Sequence, residues 1–451
     1  MKKIILLLSL GIICFQQVNA QYKKLLDLTA GFEYNMVISK DTMYLSPAFG
    51  GTNNWGFLFA MNTDGSGYRM LHDFIGDGSN GLYPKSGLTL SGNTLYGVTE
   101  SGGKNGRGIL FSIKTDGHSF KNLYDFTDSV GSHPGGTLIL SGNVLFGMTG
   151  GGGKNNKGVL FSINTDGSNY KVLLDFDGLN GADNLYDLTL SANTLYGTSA
   201  MGGINNDGVI FSIQTDGTGY HKLLDFNGAN GKTPRGGLIV SGGNLYGATM
   251  NGGKYSFGCI FSIHTDGTSY QKLYDFTNIN LGIHPEGNMA LLGKSLYGVA
   301  EGGANAGGML FSISIDSTKY KDLFDFPVNS LPSGVVISKE ILYGTTDAGG
   351  PNNKGGVFSY NLPSAVTNIS KLSNAVSLFP NPTYGLLNLY LPENTKGIIN
   401  ICNSLGQSVL KVPVNSSQMK INLQDLLPTL YFVNLDNDGN TVVLGKVVKT
   451  P

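Results

Sequence analysis

The chain has 451 residues, 14% of them charged, and a formal net charge of −1, which excludes both a basic footprint for nucleic acid and an acidic tail. Sixty-seven glycines and 10% aromatic residues, with abundant Asn, Thr and Ser, weigh against helices and favour short strands joined by tight turns. The expected class is an all-β exported protein.

Residues 1–20 combine a basic start (Lys2, Lys3), an apolar run from Ile4 to Cys14 and a small-residue cleavage signal at Val18-Asn19-Ala20. Together they read as a signal peptide, with Gln21 opening the mature chain. A lipid-modified Cys14 is the alternative, and Ile13 is the wrong residue to precede it. No later apolar run approaches the roughly 18 residues that a membrane-crossing helix needs, so no transmembrane helix is expected.

"YKKLLDL" (Tyr22 to Leu28) comes next, and residues 21–362 then repeat with a period near fifty. The Phe of "LFSI" recurs at Phe59, Phe111, Phe161, Phe211, Phe261, Phe311 and Phe358. Each unit reads as four segments, as in "GLTLS", a Ser-Gly-Asn turn, "TLYGVTE", a longer loop "SGGKNGR", "GILFSIKT", an Asp-Gly turn and "FKNLYDF". Gly and Asn accept the positive φ of hairpin turns, so the segments are expected to pair as antiparallel strands.

Such units predict a seven-bladed β-propeller with four antiparallel strands per blade, ahead of a solenoid. The seventh unit stops at "GVFSYNLPS" without its "YKxLxDF" half. The spare copy is Tyr22 to Leu28, so the last blade is expected to be closed by the N-terminal strand, leaving no unpaired edge there. Cys259 replaces Val159, Val209 and Ile109 of sister units and reads as a buried hydrophobe. Cys402 lies in a different domain, so no disulfide is expected.

Residues 363–374 form a polar linker, and residues 375–451 alternate like the strands of a small C-terminal β-sandwich. In this part, "FPNPTYG", "NSLGQSV", "LYFVNL" and the final "KVVK" resemble the type A C-terminal sorting domain of the type IX secretion system. Thr429 stands where that pattern has Gly. The resemblance implies export across the outer membrane of a Gram-negative bacterium. It also implies the secretion machinery and its sortase as partners, and release or attachment at the cell surface. The repeats, with "LYGxT", "GGxNNxGxLFSIxTDG" and "YKxLxDF", resemble the GloVer tandem-repeat family, which implies the architecture and no particular activity.

Residues present in nearly every unit read as scaffold: the Asp of each "DF" pair as an acceptor of backbone hydrogen bonds, and the Gly-Gly pairs as loop geometry. Two addresses keep their place while changing chemistry. One precedes the Gly that opens strand three and holds Trp55, Arg107, Lys157, Asp207, Phe257, Gly307 and Lys354. The other precedes strand one and holds Tyr83, Lys85, His133, Arg235, His284 and Glu286. Both fall on the face of the longer loops, the expected binding surface for a glycan or protein ligand, where Trp55 could stack on a sugar ring and the second set is expected to crowd the mouth of the central channel. The plain alternative for the first address is solvated variation at loop ends.

No metal or cofactor is expected, since His133 and His284 belong to separate units. Glu286 and Glu301 share one face of the sixth unit and are candidates for a carboxylate pair in glycosidic chemistry; no nucleophile motif accompanies them. The leading expectation is a binding or adhesion module. An extracellular polysaccharide hydrolase or lyase, or a purely structural surface component, is the alternative.

Overall fold

The structure is a computed structural model that describes residues 21–28, 36–76, 80–183, 186–350, 353–362, 376–392, 395–403, 408–437 and 440–450. Residues 1–20, expected to be a signal peptide, and residues 363–374, expected to be a linker, lie outside the described residues. The chain forms two compact units, Met1–Tyr360 and Asn361–Pro451.

The first unit is a seven-bladed β-propeller, each blade a four-stranded antiparallel sheet, with strands in chain order in blades one to six. Blade two is representative, with strands Thr89–Ser91, Thr94–Thr99, Ile109–Lys114 and Lys121–Asp125. Blades pack face to face through their apolar side chains, as sheets in a stack do. Tyr44, Leu58 and Phe74 of blade one meet Leu88, Leu95 and Phe111 of blade two in one buried cluster, and equivalent clusters follow around the ring.

Blade seven consists of Pro332–Ser338, Ile341–Thr346 and Gly356–Asn361, and its fourth strand is Tyr22–Asp27. Tyr22 pairs with Tyr360 and Asp27 with Gly356, as the displaced "YKxLxDF" copy predicts. Leu28, Tyr343 and Val357 of this blade share a buried cluster with Met43, Leu45 and Phe57 of blade one, and this contact closes the ring.

Sequence dictates the interior through one recurrent contact. A Cβ added at Gly97 of "LYG" would stand 2.5 Å from Cζ of Phe111, and Gly147, Gly197, Gly247, Gly298 and Gly344 meet their own anchor phenylalanines in the same way. The glycine of strand two therefore makes room for the fully buried ring of strand three.

In the second unit, Ser377–Phe379, Leu386–Tyr390 and Gln418–Asn422 form one sheet. Ser408–Pro413, Ile398–Cys402, Leu430–Asn437 and Asn440–Val448 form the other. Leu387, Leu389 and Ile421 of the first face Ile399, Ile401 and Val433 of the second across a common core, the layout of a β-sandwich. Cys259 and Cys402 are both free and buried.

Candidate functional site

The longer loops between strands two and three are held alike in blades two to six. Asp125 accepts from the Lys104 amide at 2.6 Å, Asp175 from Lys154 at 2.9 Å, Asp225 from Ile204 at 2.9 Å, Asp275 from Lys254 at 2.8 Å and Asp325 from Ala304 at 2.7 Å. The second glycine of each pair lies against that carboxylate: a Cβ at Gly203 would be 2.5 Å from Oδ1 of Asp225. Asn105, Asn155 and Asn205 donate to the carbonyls of Phe126, Phe176 and Phe226. The repeated residues of these loops are thus absorbed by the fold, and chemical variety is confined to fixed positions between them.

At the blade junctions the structure joins the two variable addresses. At four junctions the carbonyl of the residue before the opening glycine accepts an N–H from the connector that enters the next blade: Trp55 from Tyr83 at 2.9 Å, Arg107 from His133 at 3.0 Å, Asp207 from Thr233 at 2.9 Å, Phe257 from His284 at 2.8 Å. Each donor residue has positive φ, 58° at Tyr83, 54° at His133, 53° at Thr233 and 47° at His284. A non-glycine residue held there costs about 1 kcal/mol or more, so the backbone is pinned while the side chain stays free to vary. The opening glycine is required because the following proline packs on it; a Cβ at Gly56 would sit 2.4 Å from Cδ of Pro84.

The chemistry differs from junction to junction. Between blades one and two, the Tyr83 ring contacts Trp55 edge-on at 5.3 Å and Phe49 at 5.5 Å, and all three rings are half-buried. The Lys85 to Glu100 ion pair, 3.2 Å long, belongs to the same connector and to the end of the adjoining strand. Phe49 escaped the sequence reading although it keeps one address, seven residues before the opening glycine, where Ser101, Gly151, Met201, Asn251, Glu301 and Ala348 stand in the other units; the nearby Trp55 was the available signal.

Between blades two and three Arg107 is bound to Asp128 at 2.8 Å, so its guanidinium is already engaged. Lys157 is exposed at the next junction. Asp207 pairs with Lys232 at 2.9 Å, Arg235 with Glu286 at 3.4 Å and His284 with Glu301 at 3.3 Å, while Phe257 lies 6.2 Å from the His284 ring. Glu286 and Glu301 therefore each have a separate basic partner, which departs from a carboxylate pair working on one bond. Among the described residues no three His, Cys, Asp or Glu side chains gather as a metal site would need.

Fold and tail together define a secreted or cell-surface-attached β-propeller that carries a type IX sorting domain: residues 377–450 match the secretion system C-terminal sorting domain. Residues 32–247 and 194–386 match the Gloeobacter/Verrucomicrobia repeat, and the chain belongs to that repeat family. No curated protein sequence matches the chain.

Solved structures share the fold at low identity. One is PorZ, described as an essential bacterial surface component of the type-IX secretion system of Porphyromonas gingivalis, with 13% identity and a TM-score of 0.53. The match covers 93% of this chain and 60% of that one, so this chain spans about three fifths of PorZ. The oligogalacturonate lyase of Vibrio parahaemolyticus is 10% identical with a TM-score of 0.52, and the match covers 78% of this chain and 96% of the lyase. An oligogalacturonate lyase in complex with manganese is 13% identical with a TM-score of 0.51, over the same 78% and 96%.

Proposed function

We propose that the propeller is the working part of a surface-delivered binding module, and that its ligand is carbohydrate held on the long-loop face. The observation that carries the reading is the Phe49, Trp55 and Tyr83 cluster beside the Lys85 to Glu100 pair. Aromatic faces supply apolar area for the C–H faces of a sugar, and neighbouring charged groups hydrogen-bond its hydroxyls. Adhesion to a glycan-bearing surface follows if several junctions engage one polymer. In this reading residues 1–20 direct export, and the type IX machinery and its sortase process residues 375–451.

The test is a glycan array probed with the full chain and with Trp55→Ala. Retention of a defined glycan class, weakened about tenfold or more by the substitution, supports the reading; a loss of about 1.4 kcal/mol gives that factor. No retention on any glycan, or cleavage of a polysaccharide that Glu286→Gln abolishes, would overturn it, the second in favour of a hydrolase or lyase.

A further inference from the structure

Blade seven departs from the other six at one position. The first residue of strand three after the opening glycine is Phe57, Ile109, Val159, Val209, Cys259 or Met309 in blades one to six, each at most 3% exposed. It pairs with the Asp of the "DF" motif in every case. In blade seven the residue paired with Asp27 is Gly356. Where its sisters place a side chain, blade seven has a cavity of about 190 Å³ lined by Tyr22, Asp27, Ser330, Thr346 and Phe358, with Lys24 at its rim.

Two hydroxyls on the cavity wall lack the bonds that their counterparts make. Thr99, Thr149 and Thr249 each donate to a carbonyl two residues on and accept the strand-three amide, at 2.9–3.3 Å. Thr346 holds the same place in blade seven, is 7% exposed, and its hydroxyl has no partner among the described residues. Tyr170, Tyr220, Tyr270 and Tyr320 donate to connector carbonyls at 2.5–3.1 Å. Tyr22, their counterpart, makes no such bond among the described residues, and burial keeps its phenol protonated and able to donate.

Charge at the rim is cancelled, since Lys24 and Asp27 bind each other at 2.7 Å. The volume lies below the roughly 300–1,000 Å³ of sites for drug-sized ligands. We infer that the blade-seven cavity is a binding site for one small, neutral, polyhydroxylated ring, a single sugar unit, held by the Tyr22 and Thr346 hydroxyls against the Phe358 ring. The choice of ligand rests on the carbohydrate reading above. The site itself is a different one, created by the missing side chain at Gly356.

Saturation-transfer NMR on the full chain tests it, with the methyl glycosides of glucose, galactose, mannose and N-acetylglucosamine at millimolar concentration as probes. The expected result is transfer to at least one glycoside and at least tenfold weaker binding in Tyr22→Phe/Thr346→Val, both measured in a Trp55→Ala background so that the loop face does not contribute. Both conservative changes leave the ring stacking and the strand pairing in place. Gly356→Val would fill the cavity directly, but its Cβ would meet the Leu26 carbonyl oxygen at 2.5 Å, so the hydroxyl variants carry the test. Transfer to none of the four probes in that background, or transfer there that survives the double variant, overturns the cavity site. Binding lost in Trp55→Ala and kept in the double variant with Trp55 intact overturns it while leaving the loop-face reading intact.

Discussion

The Tyr22 ring lies flat on the Phe324 ring, with centroids 4.2 Å apart and planes 8° from parallel, although the two come from opposite ends of the propeller sequence. The same stack joins Tyr124 to Tyr170 at 4.3 Å and Tyr274 to Tyr320 at 4.0 Å, so the N-terminal strand enters the ladder as an ordinary member. Tyr22→Ala should destabilise the propeller by about 2–4 kcal/mol, as large-to-small changes at packed aromatic sites do. Deletion of residues 22–28 should abolish the single cooperative unfolding transition, followed by calorimetry. A truncated chain with an unchanged transition would refute the closure.

Gly147→Ala tests the contact between strand two and the anchor phenylalanine. The added carbon would lie 2.7 Å from both Cζ of Phe161 and Cδ2 of Leu138. Overpacking of this kind costs about 1–3 kcal/mol. Denaturant midpoints should fall accordingly, whereas Gly142→Ala, where nothing lies within 4 Å of the added carbon, should carry only the cost of its left-handed φ of 60°, about 1 kcal/mol, a conformation that Ala192 adopts in the equivalent turn.

Blade six carries a substitution that the structure marks as unfavourable. Lys222 and Lys272 bind Asp225 and Asp275 at 2.8 and 3.0 Å, but the equivalent of those lysines in blade six is Asp322. Its carboxyl is held above the usual carboxylate range by partial burial and then by the charge of Asp325. A raised value means that the carboxyl favours folding only at low pH and opposes it once ionised. Asp322→Lys should therefore raise stability by up to about 1 kcal/mol at neutral pH. The gain should shrink below about pH 4, and melting temperatures at the two pH values measure it.

The hairpin turns titrate in the opposite sense. The carboxyls of Asp64, Asp166, Asp216 and Asp266 are held below the usual range, first by the hydroxyls of Ser66, Ser168, Thr218 and Thr268 and then by their amides. Their contribution is present above the unfolded value near 3.9 and is lost as pH falls through the lower folded values. Melting temperature should drop between about pH 4 and 2, and drop less when all four are replaced by Asn. An identical acid profile in the fourfold variant would remove these turns from the account.

Architecture was legible because the repeat exposes its own rules: a strand copied seven times, with its partner copied six times plus once at Tyr22, allows one arrangement of sheets. The pairing of Trp55 with Tyr83 was not legible as a pair, because it depends on a left-handed connector residue that any side chain can occupy. Arg107, Asp207 and Arg235 read as available charges, yet each has an acidic or basic neighbour delivered by a different loop. The blade-seven cavity was hidden for another reason. Gly356 looks like one more glycine among many until its strand pairing with Asp27 aligns it with Met309 and Cys259.

Closure by Tyr22–Asp27 also governs how the molecule bears tension. The second unit departs at Asn361, the end of a strand flanked on one side by Ile341–Thr346 and on the other by the N-terminal strand. A pull on a tethered tail therefore loads an interior strand with two hydrogen-bonded neighbours, and peeling from a free margin is no longer an option. The same pairing sets Tyr22 beside Tyr360, so the start of the propeller serves as the clasp at its own exit.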